Sequence, residues 1–169
     1  MPPIVYQGSE GSCTAIAINY SRSFEKYNRS GATSYSQTTN ILSPAFLFNL
    51  TKSGSYCDGS ALLTSLNLLV NTGVCTWNSM PYSGYDCSLM PNSSQYAEAA
   101  NYKIASYSKV YVTDITAIKT LLAAKRTLTS QVTIDDNFRN SGPGFIWKSF
   151  STNPGFHALT LCGYDDSKH

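Results

Sequence analysis

The sequence contains little charge, and this shortage excludes two classes of binding partner. Charged residues make up 13% of the 169 residues, about half the usual share, and the net charge is +2. No run of Lys or Arg offers the basic patch that nucleic acids bind. No apolar stretch reaches the roughly 18–20 residues of a membrane-spanning helix. We therefore expect neither a nucleic acid nor a membrane as a partner.

Metal-ligand spacing is missing as well. The only histidines in the sequence are His157 and His169, and none of the five cysteines belongs to a C-x-x-C pair. A structural zinc site needs four such ligands, usually at close spacing. We expect no metal site and no cofactor.

The first residues, Met1-Pro2-Pro3, lack the charged and apolar regions of a signal peptide. The chain begins instead where the mature domain of an exported protein would begin. Low charge and the cysteine usage favour a secreted or periplasmic protein, or one in a lysosomal-type compartment if the source is eukaryotic.

Hydrophobic residues make up 42% of the chain, enough for a core, and they follow helical spacing first and strand spacing later. The pattern predicts helices over 13–27, 60–71 and 115–125, and a short helix that starts at the Ser43-Pro44 cap. It predicts strands over 102–112, 128–134 and 156–164. This order is typical of an α+β fold. We expect one domain over 1–169, with a helical lobe (about 1–90) and a β lobe (about 100–169) facing each other across a cleft.

The periodicity also predicts which side of each helix is buried. In the first helix the predicted buried side chains are Ile16, Ala17, Tyr20, Phe24 and Tyr27, with Asn19 lying outside this face. In the third helix they are Leu62, Leu63, Leu66, Leu69 and Val70.

One stretch, from Gln7 to Ala17, combines a glycine-rich turn with a cysteine at the start of the first helix. Gly8 and Gly11 allow a tight turn with exposed backbone N–H groups. The positive end of the helix dipole favours the thiolate form of Cys13. Cys13 is therefore the candidate nucleophile.

The other cysteines divide into two groups. Cys162 lies in a strand of alternating apolar residues and is predicted to be a buried small hydrophobe. Cys57, Cys75 and Cys87 predict one disulfide and one remaining thiol, with the pairing left open.

Three motifs resemble the papain-like cysteine peptidases. The run Glu10-Gly11-Ser12-Cys13-Thr14, with Gln7 six positions before the cysteine, is similar to the family's nucleophile segment. The segment 156–166 resembles its histidine strand, and His157 follows Cys13 within the roughly 130–150 residues usual there. Cys57-Asp58-Gly59-Ser60 resembles a middle landmark. The chain is identified as a bacterial-looking member of this family.

The sequence departs from the family pattern at three places. Glu10 stands where the family has a cysteine, so Cys57, whose counterpart usually pairs with that cysteine, must find another partner or stay free. Thr14 replaces an aromatic residue. The asparagine expected after the histidine strand, followed by Ser-Trp-Gly, is not in the sequence, and we expect a chain truncated before it. Glu10 itself either biases the site toward basic substrates or lies in solvent, and solvent is the expectation.

The resemblance implies a two-lobed papain-like fold and a set of site residues. Cys13 and His157 would be the catalytic pair, and Gln7 would stabilise the oxyanion with the backbone N–H of Cys13. The residues implied in substrate binding are Gly59, Ser60, Ala61, Leu62, Thr133 and Ala158. Because the last four of these, which would line the pocket for a substrate side chain, are small or apolar, we expect a preference for an aliphatic or aromatic residue there.

Two functions remain open on the sequence. The first is a cysteine endopeptidase that acts as a monomer on peptides or proteins, with an inhibitory propeptide or protein inhibitor as a further partner. The second is a papain-fold module that binds peptides or a protein without cleaving them. Taken alone, Cys13 could be a structural thiol, His157 an ordinary strand histidine, and Gly59-Ser60 a plain turn before a helix. The joint presence of Gln7, Cys13 and His157 favours the enzyme.

Overall fold

The computed structural model describes residues 1–168 as an α+β fold, as predicted. In chain order the helices are α1 (Cys13–Ser30), α2 (Pro44–Thr51), α3 (Leu62–Asn71), α4 (Ser93–Ala99), α5 (Ile115–Ala123) and α6 (Asp136–Arg139). A 3-10 turn (Ala100–Tyr102) extends α4. The strands are β1 (Leu128–Ile134) and β2 (Gly155–Leu161).

The helix boundaries follow the local sequence signals. Ser43 caps α2 by accepting a hydrogen bond from Phe46 N (3.0 Å), and Pro44 occupies the first turn. Asp114 caps α5 in the same way, accepting from Ala117 N (2.9 Å). Gly31 ends α1 in the left-handed conformation at φ 64°. These ends are the ones the sequence predicted, to within about three residues.

The main hydrophobic core lies among the first three helices. It is built from fully buried side chains of α2 together with residues of α1, α3 and the segment after α3; the largest members are Ile18, Leu42, Phe46, Leu47, Phe48, Leu69 and Val74. Leu63, predicted to face this core, is 62% exposed. That prediction is wrong because the core-facing side of α3 runs through Leu62, Ser65, Leu66 and Leu69, and Leu63 lies outside it.

Helix α1 is buried on more than one face, because it packs against both α2 and β2. Asn19, predicted to lie outside the buried face, is 2% exposed, and its side-chain amide donates to Ser43 O (2.8 Å). The prediction failed because this hydrogen bond compensates the burial of a polar side chain. The predicted face of larger apolar residues, including Tyr20 and Phe24, is only half-buried.

The two strands form an antiparallel pair in which Val132 lies opposite His157 and Gln131 opposite Ala158. On β2, the Thr160 hydroxyl donates to Ala17 O of α1 (2.9 Å). Helix α1, which begins at Cys13, therefore packs directly on the strand that carries His157.

The predicted strand over 102–112 does not form. Tyr102 belongs to the 3-10 turn, and Ile104 N donates to Leu69 O of α3 (3.2 Å). Alternation predicts a strand only where a neighbouring strand can accept its hydrogen bonds, and within residues 1–168 the sheet has two strands. Helix α6, four residues long, was not predicted.

The cysteine pairing is settled by the structure. Cys57 and Cys87 form a disulfide, with Cα atoms 5.9 Å apart, and Cys75 is the buried remaining thiol. Cys162 was predicted to be buried but is exposed, because β2 ends at Leu161 and the chain leaves the sheet there. None of the helices in residues 1–168 has the length and apolar character that crossing a bilayer requires.

Candidate active site

A cleft of about 430 Å³ lies between the start of α1 and the strand pair. It is lined by residues from both parts of the chain: Gln7, Gly11, Cys13, Thr14, Asp58, Gly59, Ser60, Gln131, Val132, Thr133, Phe156 and His157. The three residues predicted to be catalytic thus share one cavity. A cleft of this volume is within the range of small-molecule binding pockets.

Cys13 is the first residue of α1 and a free, half-exposed thiol. The N–H groups of the first helical turn have no intrahelical partners, so the helix presents partial positive charge to the sulfur. Ser12, which precedes it, is fully buried, and its hydroxyl lies 2.5 Å from the hydroxyl of Tyr82. Cys13 is therefore positioned by the buried, hydrogen-bonded Ser12 before it and by helix α1 after it.

Gln7 is held in place by hydrogen bonds and a close backbone contact. Its side-chain amide donates to Glu10 O (2.6 Å), which leaves a second amide N–H for another acceptor. Gly8, at φ 71°, packs so closely on Gly84 that a Cβ atom would overlap the Gly84 carbonyl. Only glycine fits that approach, so this loop cannot be loosely placed.

His157 lies in surroundings that favour its neutral form. Burial first, and then the positive charge of Arg139, hold the pKa of His157 below its ordinary value of 6.5. Its ring lies 6.4 Å from the ring of Phe138, centroid to centroid. Arg139 is fixed nearby through Asn153 O (2.5 Å) and the carboxylate of Asp136 (3.1 Å). A neutral imidazole can accept a proton from a thiol.

Glu10 does not lie in solvent, contrary to the expectation from its sequence. It is 4% exposed, and its Oε2 has no hydrogen-bond partner in the described structure. Burial raises the pKa of its carboxyl, although the Tyr82 hydroxyl and the Asp86 backbone oppose this effect. Since Glu10 is buried and does not line the cleft, it cannot offer its charge to a substrate.

Half of the predicted substrate-binding residues line the cleft. Gly59, Ser60 and Thr133 do so. Among the residues that the structure describes, Ala61, Leu62 and Ala158 lie outside its lining: Ala61 is the exposed residue before α3, Leu62 is half-buried, and Ala158 is buried on β2.

Several lining residues were missed by sequence reasoning. Asp58 adds a carboxylate to the cleft, and Phe156, 93% exposed, stands at its edge. Gly11 packs so tightly that a Cβ atom would come within 2.6 Å of Asp58 C and Gly59 N. Asp58 and Phe156 lie within the two motifs quoted above, next to Gly59 and His157, and this position in the chain was the one available signal. In the described part of the chain, no three His, Cys, Asp or Glu side chains cluster as metal ligands.

Comparison with known proteins identifies solved structures that share this fold. No protein-family model and no curated protein matches the sequence. Among solved structures, xylellain, a cysteine protease from Xylella fastidiosa, superposes with a TM-score of 0.80 at 23% identity, over 99% of this chain and 69% of its own. The cysteine protease CMS1MS2 of Carica candamarcensis superposes with a TM-score of 0.72 at 18% identity, over 97% of this chain and 72% of its own. Bromelain from Ananas comosus superposes with a TM-score of 0.72 at 19% identity, over 98% of this chain and 73% of its own. The chain therefore has the papain-like fold that its motifs predicted.

Proposed function

We propose that this protein is a cysteine peptidase that hydrolyses peptide bonds through Cys13 and His157. The observation that carries the proposal is the single cleft lined by Cys13, His157 and Gln7. These are a nucleophile, a general base and an amide donor, the three groups that acyl transfer requires. The papain-like fold, found in three cysteine proteases, supports the same reading.

The reaction proceeds in two steps. His157 accepts the proton of Cys13, and the thiolate adds to the scissile carbonyl carbon, whose oxygen becomes an oxyanion. Gln7 and the backbone N–H of Cys13 donate to that oxygen. As the C–N bond breaks, His157 returns the proton to the leaving amine, and a thioester remains on Cys13. His157 then removes a proton from water, which attacks the thioester and releases the carboxylic acid and the thiol.

The substrate in this proposal is a peptide or a protein segment in extended form. Gly59 offers backbone without a side chain along the cleft, and Val132 and Phe156 supply apolar surface there beside the polar Thr133 and Asp58. An aliphatic or aromatic side chain fits these surfaces. The Carica candamarcensis enzyme and bromelain were both solved with the inhibitor E-64, so the same inhibitor is a suitable probe for this cleft.

The second candidate function is a module that binds peptides without cleaving them. The lowered pKa of His157 favours it, because the imidazolium form is then less populated and contributes less to stabilising a Cys13 thiolate as an ion pair. The same neutral imidazole remains a competent base, which is why we favour the enzyme.

We place the protein in an oxidising compartment, secreted or periplasmic. The Cys57–Cys87 disulfide supports this placement, because such bonds persist mainly outside the reducing cytosol.

The test is hydrolysis of fluorescein-labelled casein by the wild type, by Cys13→Ser and by Cys162→Ser. We expect Cys13→Ser to abolish hydrolysis and Cys162→Ser, which removes an exposed free thiol outside the cleft, to leave it unchanged. A wild type that binds E-64 or casein peptides but cleaves nothing would support the binding module instead.

A further inference from the structure

The hydroxyl of Tyr82 connects the two chain segments that flank the proposed oxyanion site. It donates to the backbone oxygen of Gln7 (2.7 Å) and lies 2.5 Å from the hydroxyl of Ser12. The Gln7 carbonyl can only accept, so the one proton of Tyr82 is used there and the Ser12 hydroxyl is the donor in the second bond; the Glu10 carboxyl lies beside the same hydroxyl. Residue 7 carries the proposed amide donor, and residue 12 directly precedes the nucleophile.

We propose that Tyr82 is a positioning residue that fixes the distance between the two oxyanion donors, the Gln7 side chain and the Cys13 backbone N–H. The inference rests on the proposed function and adds a residue outside the cleft lining. Tyr82 does not contact the reacting atoms itself. It sets the geometry of the groups that do.

The surroundings of Tyr82 allow it to act as a fixed point. Burial raises the pKa of its hydroxyl, so the proton needed for the bond to Gln7 is retained throughout the working pH range. Its ring packs edge-on against Trp77, with centroids 6.1 Å apart. The chain around it is anchored as well, because Ser9 N donates to Gly84 O (2.9 Å).

Glu10 completes this arrangement from within the loop. Its backbone oxygen accepts the Gln7 amide (2.6 Å), and its buried side chain packs beside Tyr82. The Gln7 residue is therefore held at both ends, its main chain by Tyr82 and its side chain by Glu10. An oxyanion donor works only when it is already aimed at the developing charge, so this double restraint has a direct effect on rate.

The experiment compares two reactions of Cys13 that differ in their need for an oxyanion site. Hydrolysis of N-acetyl-leucine p-nitrophenyl ester passes through a tetrahedral oxyanion, whereas alkylation by iodoacetamide displaces iodide and forms none. Tyr82→Phe removes the bridging hydroxyl but keeps the ring against Trp77. The matched control is Tyr85→Phe in the same loop, whose side chain is 68% exposed and outside the network.

We expect Tyr82→Phe to lower kcat for the ester by about tenfold, somewhat less than the loss of a whole oxyanion donor. KM and the rate of Cys13 alkylation should stay within about twofold of the wild type. Ser12→Ala, which cuts the other end of the bridge, should reproduce the same split between the two reactions. Tyr85→Phe should change neither.

Two results would overturn the inference while leaving the proposed function intact: an unchanged kcat in Tyr82→Phe, or an equal fall in ester hydrolysis and alkylation, which would mark a purely structural role. A wild type that alkylates at Cys13 but hydrolyses no ester would overturn the proposed function, and this inference with it. The two kinds of failure are thus distinguishable in one set of measurements.

Discussion

At the scale of single residues, burial and then the charge of Arg139 lower the pKa of His157. The Arg139 guanidinium donates hydrogen bonds to Asn153 O and to the Asp136 carboxylate near the start of β2. A fixed positive charge disfavours a second positive charge nearby. The neutral, proton-accepting form of His157 is therefore retained to lower pH than in an isolated imidazole.

Replacing Arg139 by Gln is expected to raise the pKa of His157, because the repelling charge is removed while burial remains. The measurement is an NMR titration of the His157 ring in a Cys13→Ser background, where no thiolate interferes. Arg139→Lys, which keeps the charge, should hold the pKa close to that of the parent. Arg29→Gln, at the far end of α1, is the matched control. An unchanged pKa in Arg139→Gln would show that burial alone lowers it.

The buried carboxyl of Glu10, also a single residue, is expected to make the stability of the protein depend on pH. Its pKa is raised in the folded state above the ordinary 4.5, so between the two values the folded protein binds more protons than the unfolded chain. The free energy of unfolding therefore falls as pH rises from about 4.5 through the raised value, and the loss persists above it.

Glu10→Gln removes this cost without changing the size of the side chain. We expect the variant to be more stable than the wild type at pH 7.5, by about 1 kcal/mol, and to lose that advantage at pH 4. Urea denaturation at the two pH values measures the difference. A variant that is less stable at pH 7.5 would show that the carboxylate is ionised and well paired in the fold.

At the scale of elements, the loop before α1 depends on close backbone contact with the loop that contains Tyr82. Gly8 and Gly54 both adopt positive φ, 71° and 70°, but only Gly8 has backbone packed where a Cβ atom would lie. The pair separates two costs of an alanine substitution: conformational strain, which both share, and overlap, which only Gly8 suffers.

Gly54→Ala is expected to lower the free energy of unfolding by about 1 kcal/mol through strain alone. Gly8→Ala should cost about 1–3 kcal/mol more, because the Gly84 carbonyl must move, and it should also slow hydrolysis by displacing Gln7. Thermal or urea unfolding of both variants gives the comparison. Equal losses would mean that the two loops can separate without cost.

Local signals predicted the elements well where short-range chemistry decides them. The Ser43 and Asp114 caps indicated the helix starts, β1 has the predicted bounds of 128–134, and β2 lies within three residues of the predicted 156–164. The 102–112 strand failed because pairing depends on a partner distant in sequence, and Asn19 was misplaced because its acceptor, Ser43 O, lies 24 residues away. The catalytic candidates were found through motif spacing. The Tyr82 network was not, since its bonds join residues about 70–75 positions apart.

At the scale of the whole molecule, the Cys57–Cys87 disulfide links the segment before α3 to the loop after Tyr82, and it also borders the site. Gly11 N donates to Cys57 O (2.6 Å), so the disulfide region is bonded to the nucleophile loop. The bond closes a loop of 30 residues. Loop-closure entropy for that length corresponds to about 3–4 kcal/mol of stability.

The double variant Cys57→Ser with Cys87→Ser is expected to lose about 3 kcal/mol in the free energy of unfolding and part of its hydrolytic rate. Urea denaturation and casein hydrolysis measure the two effects. Cys162→Ser, at an exposed thiol outside the disulfide, is the control. A double variant with full stability would mean that the fold already restrains this loop without the bond.

Labelling with E-64 shows whether Cys13 and His157 act as a catalytic pair. The wild type and His157→Ala are incubated with E-64 from about pH 4 to pH 8, and the modified residue is identified by peptide mapping. We expect rapid labelling confined to Cys13, with Cys162 unmodified, and a large loss of rate in His157→Ala. Labelling that is slow, spread over the free thiols, or independent of His157 in a folded protein would contradict this pairing.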